Sequence, residues 1–295
     1  MPRAARSSLL SVSLVIAALG CASTRPATVQ PAPPPAPAAA TPAALPHEML
    51  DAVLWMRRSG EFKGLCLQAY QTARLRLDQA LADPAAWHDA VPSRNPSTTS
   101  YAVIVDVDET VLDNTPELVE VIQNDRHVFD DAIWKAWESK GAAAPLPGAV
   151  EFLTYAADQR HVDVYYVTNR DKDYKAQLFE NLKSDRFPVT MDRILVRDEY
   201  PFGASSSNKE GRRQFIASTH RILLEMGDDL GDFFDTTGLD ADGRVKAVTT
   251  HSDSWGREWI LLPNPAYGGW ERVFYPPGEK DPRVILEDKR KALEP

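Results

Sequence analysis

The sequence predicts an α/β protein: a doubly wound parallel sheet with helices on both faces, plus a smaller, mainly helical cap and N-terminal subdomain. Two observations support this fold class. The run YAVIV at 101–105 is apolar almost throughout rather than alternating, as in strands that are covered on both faces. From about residue 150 onward, short runs of this kind alternate with stretches of helical periodicity, which is the pattern of βαβ units.

The first 20 residues are predicted to be an export signal. Arg3 and Arg6 precede the apolar run Leu9–Leu19, which is too short to span a bilayer but suits the apolar region of a signal peptide. The run ends in ALGC, which resembles a bacterial lipoprotein signal with Cys21 as the residue that carries the lipid. The alternative is ordinary cleavage nearby and release of a soluble protein. In both cases the protein leaves the cytoplasm.

Residues 21–46 are rich in proline and alanine and cannot form a packed core. We expect them to form an extended tether, with a proline-rich ligand for a partner as the alternative. The folded domain is then 47–295, with a core at about 97–275 and helical additions at 47–82 and 111–145. The addition at 111–145 is too long for a simple crossover, so we expect it to cover the mouth of a site.

Within the domain, the spacing of apolar residues predicts each element in turn. Helices are expected within His47–Leu81 and then at Glu117–Asn124, Asp130–Lys140, Val150–Asp158, Lys172–Leu182 and Lys209–Thr219. After the strand at 101–105, further strands are expected at His161–Val167, Arg193–Val196, Arg221–Met226 and near Lys246–Thr249.

The composition excludes several classes of protein. The chain has 295 residues and a formal net charge of −9, so it is a poor candidate for binding a nucleic acid polymer by neutralising phosphates. It has only two cysteines, and if Cys21 carries lipid, Cys66 has no partner for a disulfide within the chain. An anionic substrate would need a local cationic site, because the field of the whole chain repels it.

Polar side chains follow three predicted strands and open one predicted helix, at the edge where open α/β sheets bind ligands. They are Asp106, Asp108, Thr168, Asn169, Lys209, Asp228, Asp229 and Asp232. Carboxylates that meet at one place repel one another unless a cation intervenes. The candidate ligand atoms are oxygens, and the six histidines show no zinc-binding spacing. The pattern therefore indicates Mg²⁺ beside a phosphate group.

The order of these motifs (D-x-D-x-T, a strand-end threonine, a lysine, then G-D-D-x-x-x-D) resembles the haloacid dehalogenase superfamily. Within it, DVDETVLDN at 106–114 and PNPAYGGWE at 263–271 are similar to the class C bacterial acid phosphatases. That group comprises lipoprotein phosphohydrolases and 5′-nucleotidases. The likeness covers about residues 50–275, so it extends over nearly the whole predicted domain.

The resemblance implies a role for each residue of the site. Asp106 would attack phosphorus and become an aspartyl phosphate. Asp108 would be the general acid for the leaving group and then the general base for water. Mg²⁺ would be held by the carboxylates of Asp106 and Asp228 and by the backbone carbonyl of Asp108.

Other positions would complete the site by the same resemblance. Thr168, Asn169 and Lys209 would hold the phosphoryl group, although Thr168 and Asn169 would also suit a helix cap. Asp232 and Asp229 would support the metal site or Lys209 without binding the metal themselves. Trp134 and Tyr267 would line the leaving-group cleft, where the alternative is packing in the core. Glu117 stands where relatives can carry an aromatic residue, so one wall of the cleft would differ.

The sequence thus predicts an exported, lipid-anchored, Mg²⁺-dependent acid phosphomonoesterase. Its substrates would be nucleoside 5′-monophosphates and other small organic phosphomonoesters, and a homodimer is possible. Two alternatives stay open. One is a phosphotransferase that passes the phosphoryl group from Asp106 to an alcohol instead of water. The other is a non-catalytic surface lipoprotein that uses the cleft for ligand capture.

Overall fold

The parallel strands of the central sheet end at a common edge, which carries the polar residues singled out above. The structure is a computed structural model, and it describes residues 47–94, 97–127, 129–199, 207–276 and 278–294. In these residues the strands are β1 (Tyr101–Val105), β2 (Leu112–Asp113), β3 (Ala144–Pro145), β4 (Asp163–Asp171), β5 (Ile194–Arg197), β6 (Arg221–Gly227) and β7 (Trp259–Leu261).

The main sheet has the order β5-β4-β1-β6-β7, and each neighbouring pair is parallel. Successive side chains of a strand point to opposite faces. Val103 and Val105 belong to the apolar core on one face of β1, and Ala102 and Ile104 belong to the core on the other. The predicted α/β fold with a sheet covered on both faces is therefore confirmed.

Helices surround this sheet. The helices of the described residues are α1 (Leu50–Arg58), α2 (Gly60–Ala82), α3 (Thr115–Gln123), α4 (Asp131–Lys140), α5 (Ala149–Thr154), α6 (Lys175–Ser184), α7 (Glu210–Ala217), α8 (Ala241–Thr250), α9 (Gly269–Arg272) and α10 (Pro282–Lys291). A π-helical turn at Tyr155–Gln159 continues α5. The short strands β2 and β3, which lie before α3 and after α4 along the chain, pair with each other in antiparallel register.

The predicted helical region at 47–81 is confirmed, but it consists of two helices. Ser59 separates α1 from α2, and its hydroxyl accepts a hydrogen bond from the backbone N–H of Phe62 at 3.1 Å. This is a helix N-cap, which stabilises the start of α2. The face of α2 that carries Cys66 and Leu77 is buried in the core, as the apolar spacing predicted.

One predicted strand was wrong. The segment Lys246–Thr249 lies inside α8, and the strand that pairs with β6 is β7. The β-branched residues of this segment are typical of strands. However, the side chain of Asp240 accepts a hydrogen bond from the N–H of Gly243 at 2.8 Å, and this N-cap starts a helix. Val245 and Val248 are exposed on that helix, so these apolar residues do not mark a buried strand.

The described residues all belong to one compact unit. Among the helices that these residues form, none is both long and apolar enough to cross a bilayer. The predicted signal peptide, the tether at 21–46 and Cys21 lie outside the described residues.

Candidate active site

The ends of β1 and β6 bring the first group of predicted site residues together. The backbone N–H of Asp106 donates to the carbonyl of Met226 at 2.9 Å, which aligns the end of β1 with the loop after β6. Gly227, the last residue of β6, must lack a side chain here, because a Cβ would overlap the carboxylate of Asp232. Asp232 therefore fits closely against the strand and faces Asp106.

Three carboxylates meet at this point. One oxygen from each of Asp106, Asp228 and Asp232, the acidic trio, lies within 4.8 Å of the others. The ammonium group of Lys209 forms ion pairs with Asp106 and, at 2.6 Å, with Asp232. The sequence predicted that Asp232 supports the metal site or Lys209; in the structure it pairs with Lys209 and lies beside Asp106 and Asp228.

The charge balance of this group is negative. Burial, together with Asp232 and Asp108, raises the pKa of Asp106 to about 7, although Lys209 opposes the shift. Burial and the neighbouring acids also raise the pKa of Asp228 well above its usual value. Burial alone would lower the pKa of Lys209, but Asp106 and Asp232 raise it overall, so this side chain stays charged.

When all three carboxylates are ionised, the single ammonium leaves two negative charges uncompensated in this group. A divalent cation supplies the missing charge, and an all-oxygen ligand set is the type that Mg²⁺ and Ca²⁺ prefer. The residues present therefore fit a divalent metal ion.

The tail segment, residues 263–271, fixes the loop that carries Asp228. The side chain of Asn264 donates to one carboxylate oxygen of Asp228 at 2.9 Å, and the hydroxyl of Thr110 donates to the other at 3.1 Å. Asp229 has a different task. Its carboxylate accepts the N–H of Gly269 at 2.6 Å and pairs with Arg244 at 3.2 Å, so it ties the tail segment to this loop.

Asp108 lies beside the trio, and its carboxylate has partners of its own. Arg170 donates to Oδ1 through Nε at 3.0 Å and Nη2 at 2.8 Å, and Asn114 donates to the same oxygen at 2.8 Å. The second oxygen, Oδ2, accepts a long hydrogen bond from the hydroxyl of Thr168 at 3.4 Å. A carboxylate held on one side and nearly free on the other is suited to proton transfer.

Thr168 and Asn169 lie inside β4, which runs four residues beyond its predicted end at Val167. The side chain of Asn169 accepts from Arg212 at 2.6 Å and donates to the carbonyl of Ser207 at 2.9 Å. Arg212 also donates to the carbonyl of Thr168. The amide of Asn169 therefore connects β4 to the segment before Lys209.

The two predicted cleft aromatics both lie at this edge of the sheet. The half-buried ring of Trp134 lies 5.7 Å from the guanidinium carbon of Arg170. The hydroxyl of Tyr267 donates to Glu109, which is buried and adopts a positive φ of 53°. Burial and the charges of Asp108 and Asp228 raise the pKa of Glu109 well above its ordinary value.

Trp137 and Trp270 lie in the same sequence segments as Trp134 and Tyr267 but are not part of the predicted cleft. Trp137 is buried and donates its indole N–H to Asn114 at 2.7 Å, whereas Trp270 is 43 % exposed. Glu117, the predicted departure in the cleft wall, is buried in the first turn of α3.

Sequence reasoning gave no role to Arg170, Asn114 or Glu109, although all three lie inside motifs that it singled out. Each is at least 98 % buried, and each contacts Asp108 or a partner of Asp108. The available signal in the sequence was that each of them is a polar residue inside a motif that also contains predicted site residues. Some of their partners, such as Tyr267 for Glu109 and Trp137 for Asn114, come from distant segments, so the linear spacing could not identify them.

The chain is similar to known acid phosphatases. A family model described as HAD superfamily, subfamily IIIB (Acid phosphatase) matches residues 5–270. The structure of the class C acid phosphatase from Bacillus anthracis superposes with a TM-score of 0.73 at 32 % identity, over 84 % of this chain and 98 % of that one. The crystal structure of the same enzyme with tungstate bound gives 0.73 at 31 % identity, with the same two coverages.

The raised pKa values predict how stability depends on pH. Between the ordinary carboxyl pKa near 4 and the raised values, the folded protein binds more protons than the unfolded chain. The free energy of unfolding therefore falls as pH rises through this range. We expect the Tm of chelator-treated protein to be higher at pH 5 than at pH 8, and Mg²⁺ to raise the Tm more at pH 8.

Two variants show whether these effects come from the acidic trio or from other charges of the protein. The Tm is measured by calorimetry. Asp228→Asn removes one charge from the trio and should reduce both the pH effect and the Mg²⁺ effect. Asp253→Asn removes an exposed charge and should leave both unchanged. An equal response to Mg²⁺ in the wild type and in Asp228→Asn would contradict the assignment of the metal site.

Proposed function

The chain belongs to subfamily IIIB of the HAD superfamily, the acid phosphatases, and from this we propose an exported, Mg²⁺-dependent phosphomonoesterase that forms an aspartyl phosphate. That the chain is a phosphomonoester hydrolase follows from the family and from the similar solved structures. The single observation that supports the finer proposal is the acidic trio with Lys209 at the carboxyl edge of the sheet.

In this proposal the metal ion is held by the carboxylates of Asp106 and Asp228 and by the backbone carbonyl of Asp108. Asp232 is close enough to contribute an oxygen or to hold Lys209. When bound, Mg²⁺ supplies positive charge that offsets the repulsion between these carboxylates and a phosphate dianion. Lys209 supplies a second positive charge at the same place, and Thr168 offers a hydroxyl to the phosphoryl group.

The first step transfers the phosphoryl group to the enzyme. A carboxylate oxygen of Asp106 forms a bond to phosphorus as the bond between phosphorus and the leaving oxygen breaks. Asp108 gives its proton to that oxygen, which departs as an alcohol. The leaving group thus needs no stabilisation as an alkoxide, and Asp108 is left as a carboxylate.

The second step returns the enzyme to its starting state. Asp108 takes a proton from a water molecule, and the water oxygen bonds to phosphorus. The bond between phosphorus and the Asp106 oxygen breaks at the same time, which releases inorganic phosphate and restores the Asp106 carboxylate. Asp108 is again protonated and ready for the next substrate.

We propose nucleoside 5′-monophosphates and other organic monoesters as the substrates. Trp134 lies beside Arg170 and Tyr267 beside Glu109, so both aromatic groups are joined to residues around Asp108, the proposed proton donor. Flat aromatic rings bind a nucleobase or an aryl group with little discrimination. Tungstate, bound in the Bacillus anthracis relative, is an oxyanion like phosphate, which is consistent with a phosphate site in this fold.

Substituting the nucleophile tests the mechanism. Asp106→Asn keeps the size of the side chain but removes its nucleophilic charge, so hydrolysis of a nucleotide and of an aryl phosphate should both stop. Chelation of the metal ion should have the same effect, and added Mg²⁺ should reverse it. Release of inorganic phosphate is the measurement, and Asp253→Asn is the matched control. Persistent hydrolysis in both the variant and the chelated enzyme would place the chemistry elsewhere.

The proposed role of Trp134 in the cleft is tested by comparing substrates with two different leaving groups. In Trp134→Ala the KM for a nucleoside 5′-monophosphate should rise roughly tenfold, because stacking on a base contributes about 1–3 kcal/mol. The KM for glycerol phosphate, which has no ring, should change little. Steady-state kinetics with the two substrates gives the comparison, and an equal rise for both would show that Trp134 only packs.

The proposed export and anchoring depend on the N-terminal sequence. Arg3, Arg6 and the run Leu9–Leu19 have the form of an export signal, and Cys21 follows it. In a bacterial host, we expect wild-type activity in the membrane fraction and Cys21→Ser activity in the soluble fraction. If the wild-type activity is instead soluble without detergent, the signal peptide is cleaved in the ordinary way and the protein carries no lipid.

A further inference from the structure

Asn114 lies at the centre of a buried hydrogen-bond network around Asp108. Its amide nitrogen donates to Oδ1 of Asp108 at 2.8 Å and to Oε2 of Glu109 at 3.3 Å. Its amide oxygen accepts from the indole of Trp137 at 2.7 Å and from Nη2 of Arg170 at 3.2 Å. The side chain has 0 % exposure, so these four contacts use its whole hydrogen-bonding capacity.

The partners fix the orientation of this amide. Trp137 and Arg170 are donors only, so they must face the amide oxygen of Asn114. The amide nitrogen then has to face the two carboxylates, and a flipped amide would place an oxygen against each of them. The network has one arrangement that satisfies every group, and that arrangement points an N–H at Asp108.

The two oxygens of Asp108 therefore differ. Oδ1 accepts from Asn114 and twice from Arg170, so three N–H groups occupy it. From the described residues, Oδ2 accepts one contact, at 3.4 Å from the hydroxyl of Thr168. A proton on Oδ1 would face these donors, whereas a proton on Oδ2 would not. The geometry thus assigns Oδ2 as the oxygen that carries the proton.

Both proposed walls of the cleft lead into the same network. Trp137 reaches Asn114 from α4, the helix that also carries Trp134. Tyr267 donates to Glu109, which in turn accepts from the backbone N–H of Asn114 at 2.9 Å. The elements that would surround the leaving group are thus joined to the carboxyl group that would protonate it.

We propose that Asn114 is a positioning residue, which holds Asp108 so that Oδ2 can deliver a proton to the leaving oxygen. This inference rests on the proposed function. It adds a residue that is not among the proposed phosphate or metal ligands but decides which oxygen of Asp108 takes part in the reaction. It also names the class of substrate that depends on the residue, namely esters whose leaving alcohol requires a proton.

The test compares two leaving groups. A nucleoside 5′-hydroxyl must be protonated as it departs, whereas 4-nitrophenolate departs as a stable anion. The ratio kcat/KM reports the steps up to release of the leaving group, so it excludes the later hydrolysis of the aspartyl phosphate. Asn114→Ala should lower kcat/KM about 10- to 100-fold for a nucleoside 5′-monophosphate, but less than about threefold for 4-nitrophenyl phosphate.

Trp137→Phe provides a second variant if Asn114→Ala folds poorly. It keeps an aromatic ring at the position and removes the N–H that holds the amide oxygen of Asn114. We expect a smaller loss than for Asn114→Ala, with the same preference for 4-nitrophenyl phosphate.

Asn181→Ala is the matched control. Asn181 is 3 % exposed, and its amide accepts the N–H of Ala143 and donates to the carbonyl of Ala143, each at 2.9 Å. The variant loses buried hydrogen bonds of the same kind without touching Asp108, so it should lower the Tm but leave the ratio of the two kcat/KM values unchanged.

Equal losses with both substrates in Asn114→Ala and Trp137→Phe, or a changed ratio in Asn181→Ala, would overturn the positioning role. Failure of the proposed function gives a different result, because Asp106→Asn would then still hydrolyse both substrates.

Discussion

The structure is organised around the burial of several carboxylates at one edge of a parallel sheet. Asp106 and Asp228 follow the adjacent strands β1 and β6, and Asp232 fits into the space that Gly227 leaves open. Repulsion between these acids is strong at short distance in a buried site, and Lys209 offsets only part of it. A divalent cation removes the remaining imbalance, so the same arrangement that costs stability also prepares a site for a metal ion and a phosphate.

The acids of the site each pair with a donor, Lys209 serves two of them, and the donors come from segments between residues 110 and 267. The pairs are Lys209 with Asp106 and Asp232, Arg170 and Asn114 with Asp108, Tyr267 with Glu109, Asn264 and Thr110 with Asp228, and Arg244 with Asp229. A buried polar group without a partner is costly, so these contacts hold the loops in defined positions. The tail segment belongs to the site for this reason, although it lies far along the chain from β1.

The structure also divides the acids by task. The trio meets at the position suited to a cation, whereas Asp108 points its carboxylate toward Arg170 and Asn114. Asp229 follows Asp228 directly, yet its carboxylate binds Gly269 and Arg244. Adjacent residues of a loop therefore have different environments, and chemical type alone does not separate a metal ligand from an acid that holds a loop in place.

The fold class, most of the elements and the convergence of the site residues at one edge could be predicted from the sequence alone. Periodicity reports whether a segment is buried on one side or two, and the carboxyl ends of parallel strands share an edge. The strand prediction failed at Lys246–Thr249, because a helix cap nearby outweighed the β-branched composition of the segment. The pairing of donors with acids, such as Arg170 with Asp108 or Asn264 with Asp228, became visible in the folded structure alone. Those pairs depend on distances between segments that are remote along the chain, and no local pattern encodes such distances.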